Sequence, residues 1–291
     1  VKALFRKVIV YLRMIKFSHT IFALPFALSS IVLVQTVKPL DWTTVLWIIV
    51  AMAGARSAAM GFNRLADAML DAKNPRTATR EIPKGIISSM EATLFTILAS
   101  ALFVVASAML SNLCFWLSFL VLLFLFTYSY TKRVTWFAHI FLGFAIGLAP
   151  MGVWVAVTGV LTAEITVLSI ALMSYIAGFD ILYACQDFEF DKKMGLFSVP
   201  AKFGIKKAMR ISEALHIISV ISLVVIYWLF PLSPVYLVFV GIIAIFFFVE
   251  HKLVNPDNLS KINIAFFHVN SIISILVFVA ILLGSLFKGV L

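Results

Sequence analysis

Apolar residues run in blocks of about twenty along most of the chain, and the polar residues collect in the gaps between them. A block of ~20 apolar residues is the length that crosses a bilayer as a helix. The blocks fall at about 18–37, 42–71, 92–110, 113–130, 135–157, 165–187, 211–230, 235–249 and 264–287. This pattern predicts an all-α, polytopic membrane protein of about nine transmembrane helices, in a single transmembrane domain over residues 1–291. Pro231 and Pro234 mark the seventh connection. Pro25 and Pro150 lie inside spans, where a missing N–H would kink a helix. Ahead of the first span, residues 1–16 carry Lys2, Arg6, Lys7, Arg13 and Lys16 among apolar positions. Such a segment predicts an amphipathic helix lying on the membrane surface.

Composition sharpens the class. The chain is 63% hydrophobic and only 12% charged, with mean hydropathy +1.10. A soluble domain is about half apolar and about a quarter charged. The net charge of +10 is explained by topology rather than by nucleic-acid binding. Of the 23 Lys and Arg, 19 fall in the amino-terminal segment and in the loops after spans two, four, six and eight. Only Lys38 and Lys288 fall on the other side, and Arg56 and Arg64 lie inside span two. The positive-inside rule then places the amino terminus and the basic loops in the cytoplasm of a cell bounded by this (inner) membrane. Cys114 and Cys185 offer neither a metal spacing nor a disulfide framework, and Cys185 reads as a packing residue. His19, His139, His216, His251 and His268 show no ligand spacing and read as packing or interface residues, with His19 placed near a pocket mouth.

The candidate chemistry sits at the end of span two. Asn63, Asp67 and Asp71 recur at intervals of four, so a helix stacks their oxygens along one face. Carboxylates at membrane depth are costly without a role. Oxygen ligands on a rigid face suit Mg²⁺, which keeps several waters and shares phosphate ligands. A second set, Asp180, Tyr183, Asp187 and Asp191, ends span six. Asn63, Asp67 and Asp71 are expected to hold one Mg²⁺, and Asp187 and Asp191 a second. Arg56 lies about two turns deeper than Asn63. Asp180 is similarly deep on its own span, so the two read either as a buried ion pair or as the lining of an acceptor pocket. Loops 72–89 and 188–210 follow the acidic spans and read as lids or binding loops. Arg76, Arg80, Lys132, Arg133 and Lys192 in the basic loops, with Tyr183, are candidate contacts for a diphosphate. The repeated arrangement also makes an internal duplication plausible.

At these residues the chain resembles the UbiA superfamily of intramembrane prenyltransferases. Asn63-xxx-Asp67-xxx-Asp71 is similar to the family's first aspartate-rich motif. Asn74-Pro75-Arg76-Thr77 and Arg80-xx-Pro83-x-Gly85 resemble the loop that follows it. Asp180-xx-Tyr183-xxx-Asp187-xxx-Asp191 resembles the second motif, and Tyr130-x-Lys132-Arg133-x-Thr135 the end of the fourth helix. Arg56 falls where the family has an arginine. Arg64 is a departure, since the hydroxybenzoate branch often has Asp after the Asn. The resemblance is greatest to the 4-hydroxybenzoate polyprenyltransferase and menaquinone-pathway branches. It implies nine helices around a central cavity, and Mg²⁺-dependent transfer of a prenyl group from a polyprenyl diphosphate to an aromatic acceptor, for quinone biosynthesis. In that setting Arg56 would meet the acceptor, and Asp67 or Asp180 would act as base. The alternatives are transfer to a glycerol-phosphate ether lipid or, in another class, a cation-coupled transporter.

Overall fold

The computed structural model describes residues 2–256 and 259–288. Among them the regular structure is helical, with no β-strand. In chain order the helices are α1 (Lys2–Met14), α2 (Leu24–Gln35), α3 (Trp42–Lys73), α4 (Ser89–Leu110), α5 (Asn112–Thr131), α6 (Ala138–Thr158) and α7 (Ala163–Ala184). They continue as α8 (Phe188–Met194), α9 (Val199–Phe203), α10 (Ile205–Leu229), α11 (Val235–Leu253), α12 (Ile262–Ile264) and α13 (Asn270–Leu286). Nine segments of the described residues are long and apolar enough to cross a membrane, in agreement with the hydropathy blocks.

The boundaries differ from the expected ones where local hydrogen bonding overrides apolar content. The first span opens with a 3₁₀ turn, Phe17–Phe22, and Pro25 sits at the start of α2 rather than inside it. That is the position where a proline's missing N–H costs nothing. The sixth span is not one helix through Asp187: α7 stops at Ala184, and a 3₁₀ turn (Cys185–Asp187) leads into α8. The expected lid loop 188–210 is largely helical, as α8, α9 and the first turn of α10. The ninth span contains a π-helical turn, Ala265–Val269, ahead of α13.

The chain forms two compact units, Val1–Thr20 with Asp41–Tyr130, and Ile21–Leu40 with Thr131–Leu291. In the first, α3 and α4 pack along their lengths through small residues. A Cβ on Gly54 would lie 2.8 Å from the backbone N of Phe103, so only glycine permits that approach. Asp41 caps α3 by accepting from the Thr44 N–H at 2.8 Å. Ser88 and Glu91 form a reciprocal capping box on α4. α1 spans all of the expected surface helix except its ends, residue 1 lying outside the described residues. Its carboxyl end is buried, with Met14, Ile15, Ile87 and Ala92 in one cluster, and Tyr11 stacks on Phe95 at 5.1 Å.

In the second unit α7 is the central helix. Its Leu168, Leu172, Tyr175, Ile176 and Ile181 are completely buried. Interhelical hydrogen bonds replace the hydrophobic drive that lipid removes, each worth about 0.6 kcal/mol. Ser212 and Ser219 of α10 donate to the Gly178 and Ala171 carbonyls of α7, at 2.7 and 2.9 Å. Tyr175 donates to the Asn270 carbonyl at 2.8 Å, and Ser30 of α2 to the Pro150 carbonyl of α6 at 2.9 Å. Cys185 is buried among Ile181, Leu182 and Val199, as a packing residue.

Candidate active site

The first acidic face lies on one unbroken helix. Because α3 runs through to Lys73, Asn63, Asp67 and Asp71 keep their four-residue spacing in space. Asn63 Nδ2 donates to Asp67 Oδ2 at 3.0 Å. Asp71 is engaged differently. Arg80 Nη1 lies 2.7 Å from both its carboxylate oxygens, and the pair is mostly out of water. The reason is local: α3 ends in Asn74, whose Oδ1 accepts from the Arg76 N–H at 3.0 Å. Thr77 donates to the Asp71 carbonyl at 3.1 Å. The tight turn so formed carries Arg80 back over the helix end, while the Arg76 side chain remains exposed.

The two deep arginines of α3 close on α1. Arg64, 3% exposed, donates from Nε to the Met14 carbonyl at 2.9 Å, and Arg56 from Nη2 to the Lys16 carbonyl at 3.0 Å. These are carbonyls at the end of α1, where a cation is favoured. Lys16 itself sits in the left-handed region, with φ 50°. Burial, and then the positive charges of Arg64 and Arg80, hold its ammonium below the ordinary lysine range.

The second acidic set is split across the 3₁₀ turn. Asp180 lies within α7, Asp187 ends the turn, and Asp191 belongs to α8. Asp187 and Asp191 are both buried. Ser198 is the N-cap of α9, its Oγ accepting from the Ala201 N–H at 3.2 Å, and Asp191 Oδ2 is buried without any hydrogen-bond partner. Asp180 Oδ2 lies 2.6 Å from His139 Nδ1, and His139 is fully buried. The charge of Lys132 acts on both Asp180 and Asp191, and its carbonyl accepts from the Phe197 N–H at 2.7 Å. Lys192 is exposed, its Nζ 5.0 Å from the Phe188 ring centre. The Tyr183 ring stacks on Phe266 at 4.0 Å.

Several expectations change accordingly. Arg56 bonds the Lys16 carbonyl, and Asp180 bonds His139. His139 is more than a packing residue, since it is bonded to a candidate base. Among the described residues no three His, Cys, Asp or Glu converge as a ready metal cage. The donors nevertheless fit a hard cation in the second set, where Asp191 Oδ2 is buried without a hydrogen-bond partner. In the first set Asp67 accepts from the Asn63 amide, and Asp71 is already neutralised by Arg80. His139 is the residue that sequence reasoning passed over, because nothing in its spacing ties it to the acidic positions.

Fold and site together define a polytopic membrane protein with acidic helix ends. Residues 23–272 match the UbiA prenyltransferase family, and the chain belongs to that family. It is 33% identical over 150 residues to a 4-hydroxybenzoate octaprenyltransferase of Vibrio cholerae, a match covering 51% of this chain and 52% of the relative. The chain thus spans about half the length of that relative. With the Tolumonas auensis 4-hydroxybenzoate octaprenyltransferase it shares 29% identity over 229 residues, 79% of each chain. Among solved structures it is similar to an apo UbiA homologue from Aeropyrum pernix K1, with TM-score 0.82 and 29% identity, covering 91% of this chain and 97% of the other. A UbiA homologue from Archaeoglobus fulgidus bound to GPP and Mg²⁺ shares the fold, with TM-score 0.72 and 21% identity, covering 94% and 99%.

Proposed function

We propose that the protein transfers a prenyl group from a polyprenyl diphosphate to an aromatic acceptor of the 4-hydroxybenzoate or dihydroxynaphthoate type, in an Mg²⁺-dependent reaction at the cytoplasmic side of the cell membrane. The observation that carries this reading is the pair of acidic helix ends, one of which keeps a buried carboxylate oxygen without a partner. Family membership supports it, and so does the likeness to relatives named for that transfer. The basic loops that flank both acidic sets argue against a transporter.

Asn63 and Asp67, with Asp71 once Arg80 releases it, would hold one Mg²⁺, and Asp187 and Asp191 a second. When bound, these ions supply positive charge to the leaving diphosphate. Lys132, Arg76, Arg80 and Lys192 are the cations, and Tyr183 the hydroxyl, that we assign to diphosphate binding. Heterolysis of the allylic C–O bond leaves its electron pair on the diphosphate. The electron-rich ring carbon then attacks the prenyl cation, and Asp180 takes the displaced ring proton. We assign Arg56 to the acceptor's carboxylate. The apolar surroundings exclude water that would otherwise capture the cation.

The test is diphosphate release by purified protein supplied with a polyprenyl diphosphate, Mg²⁺ and either 4-hydroxybenzoate, a dihydroxynaphthoate or a prenylated glycerol phosphate. Release that depends on an aromatic acceptor and disappears in Asp67→Asn and Asp191→Asn is the expected result. Release only with the glycerol phosphate, or with none of the three, would overturn the assignment.

A further inference from the structure

The His139–Asp180 contact has a chemistry that the acidic motifs do not explain. His139 lies in the first turn of α6, 41 residues from Asp180 in sequence, and is completely buried. Its Nδ1 is 2.6 Å from Asp180 Oδ2, while its Nε2 is buried with no hydrogen-bond partner. The proton inventory follows from this asymmetry. An imidazolium, or a neutral ring protonated at Nε2, would bury an N–H donor with no acceptor. The neutral ring protonated at Nδ1 leaves only a lone pair there, and donates to the carboxylate. The ring cannot drift, because α6 lies directly on α7: a side chain on Gly143 would run into the Met173 carbonyl. The Asp180 side chain, by contrast, is 21% exposed, so the carboxylate spans the boundary between the buried histidine and open space.

We propose that His139 is a positioning residue, whose Nδ1–H fixes Asp180 as the ionised, correctly turned carboxylate that accepts the ring proton. This rests on the prenyl-transfer reading above. In the step concerned, the new C–C bond has formed and the diphosphate has left with the C–O electron pair. The ring C–H bond then breaks, its electrons restore aromaticity, and the proton goes to Asp180. His139 stays neutral throughout and touches neither substrate. The neutral donor keeps one carboxylate oxygen occupied, leaving the other for the proton.

Two measurements test this. In purified protein labelled with ¹⁵N-histidine, His139 is expected to show the neutral, Nδ1-protonated tautomer, perturbed by Asp180→Asn. An Nε2-protonated ring or an imidazolium overturns the proposal. The second uses 4-hydroxybenzoate or a dihydroxynaphthoate, whichever supports release, with deuterium at the alkylated ring position. Wild type should show little isotope effect on kcat. His139→Leu should lose about 10- to 100-fold in kcat, with KM nearly unchanged, and acquire a primary isotope effect as proton removal becomes limiting. His139→Asn, whose amide N–H reaches the Nδ1 position, should restore most of kcat and abolish the isotope effect. Equal losses in both variants without an isotope effect mean that His139 only packs, and overturn the proposal. An isotope effect in neither Asp180→Asn nor His139→Leu removes Asp180 as the base and the proposal with it. Failure of wild type to release diphosphate with any aromatic acceptor is a separate result, which overturns the prenyl-transfer reading itself.

Discussion

Arg80→Met should destabilise the metal-free protein and make it more dependent on Mg²⁺ than wild type. Arg80 Nη1 holds both oxygens of Asp71 at 2.7 Å, with 9% of the Asp71 side chain and 23% of the Arg80 side chain exposed. Removing one partner of a buried pair leaves an uncompensated charge, at a cost of about 3–5 kcal/mol. The partial exposure of Arg80 favours the lower end, about 3 kcal/mol. At roughly 2–4 °C per kcal/mol for a chain approaching this length, the midpoint should fall by about 6–12 °C. The same substitution frees Asp71 for a cation beside Asn63 and Asp67. A ligand present at a hundred times its Kd returns about 2.7 kcal/mol, so saturating Mg²⁺ should recover most of the loss. The assay is thermal unfolding in detergent across a Mg²⁺ titration, with Ca²⁺ and EDTA as controls. If Mg²⁺ raises the midpoint of Arg80→Met no further than that of wild type, the guanidinium and the metal do not compete for Asp71.

Three further outcomes are expected. Gly54→Leu should destabilise the α3–α4 pair by about 1–3 kcal/mol, since its Cβ would lie 2.8 Å from the Phe103 backbone; detergent unfolding measures it. Lys16→Gly should stabilise the protein by up to about 1 kcal/mol by relieving its left-handed backbone (φ 50°). That gain should be larger near neutral pH than in alkali. The Lys16 pKa is lowered by burial and by Arg64 and Arg80, so the unfolded chain binds the extra proton, and wild-type stability rises with pH as the folded state sheds it. Asp191→Asn should stabilise the EDTA-treated protein by about 1 kcal/mol, because it removes a charge from a buried oxygen without a partner, while abolishing turnover.

What the sequence made legible depended on whether a helix ran unbroken. The spacing of Asn63, Asp67 and Asp71 translated directly into one face because α3 continues to Lys73. The same arithmetic overreached at the second motif. Its three acids lie on α7, a 3₁₀ turn and α8, and apolar periodicity does not register a change from four-residue to three-residue hydrogen bonding. Loop 188–210 read as irregular because α8 and α9 are only 7 and 5 residues long, too short to show a period. Partners that depend on packing were hidden as well. Arg80 was legible as a cation, but its use on Asp71 requires the turn built by Asn74 and Thr77. His139 reaches Asp180 only because α6 lies against α7. Arg64, the departure from the motif, serves the end of α1, where the Met14 carbonyl accepts from its Nε.

The two acidic helix ends balance their charge in opposite ways, and this bears on which of them a metal should stabilise more. On α3, Asp67 accepts from the Asn63 amide and Asp71 from a guanidinium nine residues away, so much of the charge is already answered. On α8, Asp191 feels the charge of Lys132, yet its Oδ2 stays without a hydrogen-bond partner although the residue is 2% exposed. An ionised group in that state is expensive, and the expense has no structural benefit, since an amide of the same shape would fit. It becomes intelligible if a cation completes the site during the working cycle. A metal held by Asp187 and Asp191 would then supply the partner that this oxygen lacks, beyond the charge that Lys132 already contributes. A metal joining Asn63, Asp67 and Asp71 must first displace Arg80, and so gains only the difference. Mg²⁺-induced stabilisation should accordingly fall more in Asp191→Asn than in Asp67→Asn. The opposite order would mean that the bare oxygen of Asp191 is not where the cation is held.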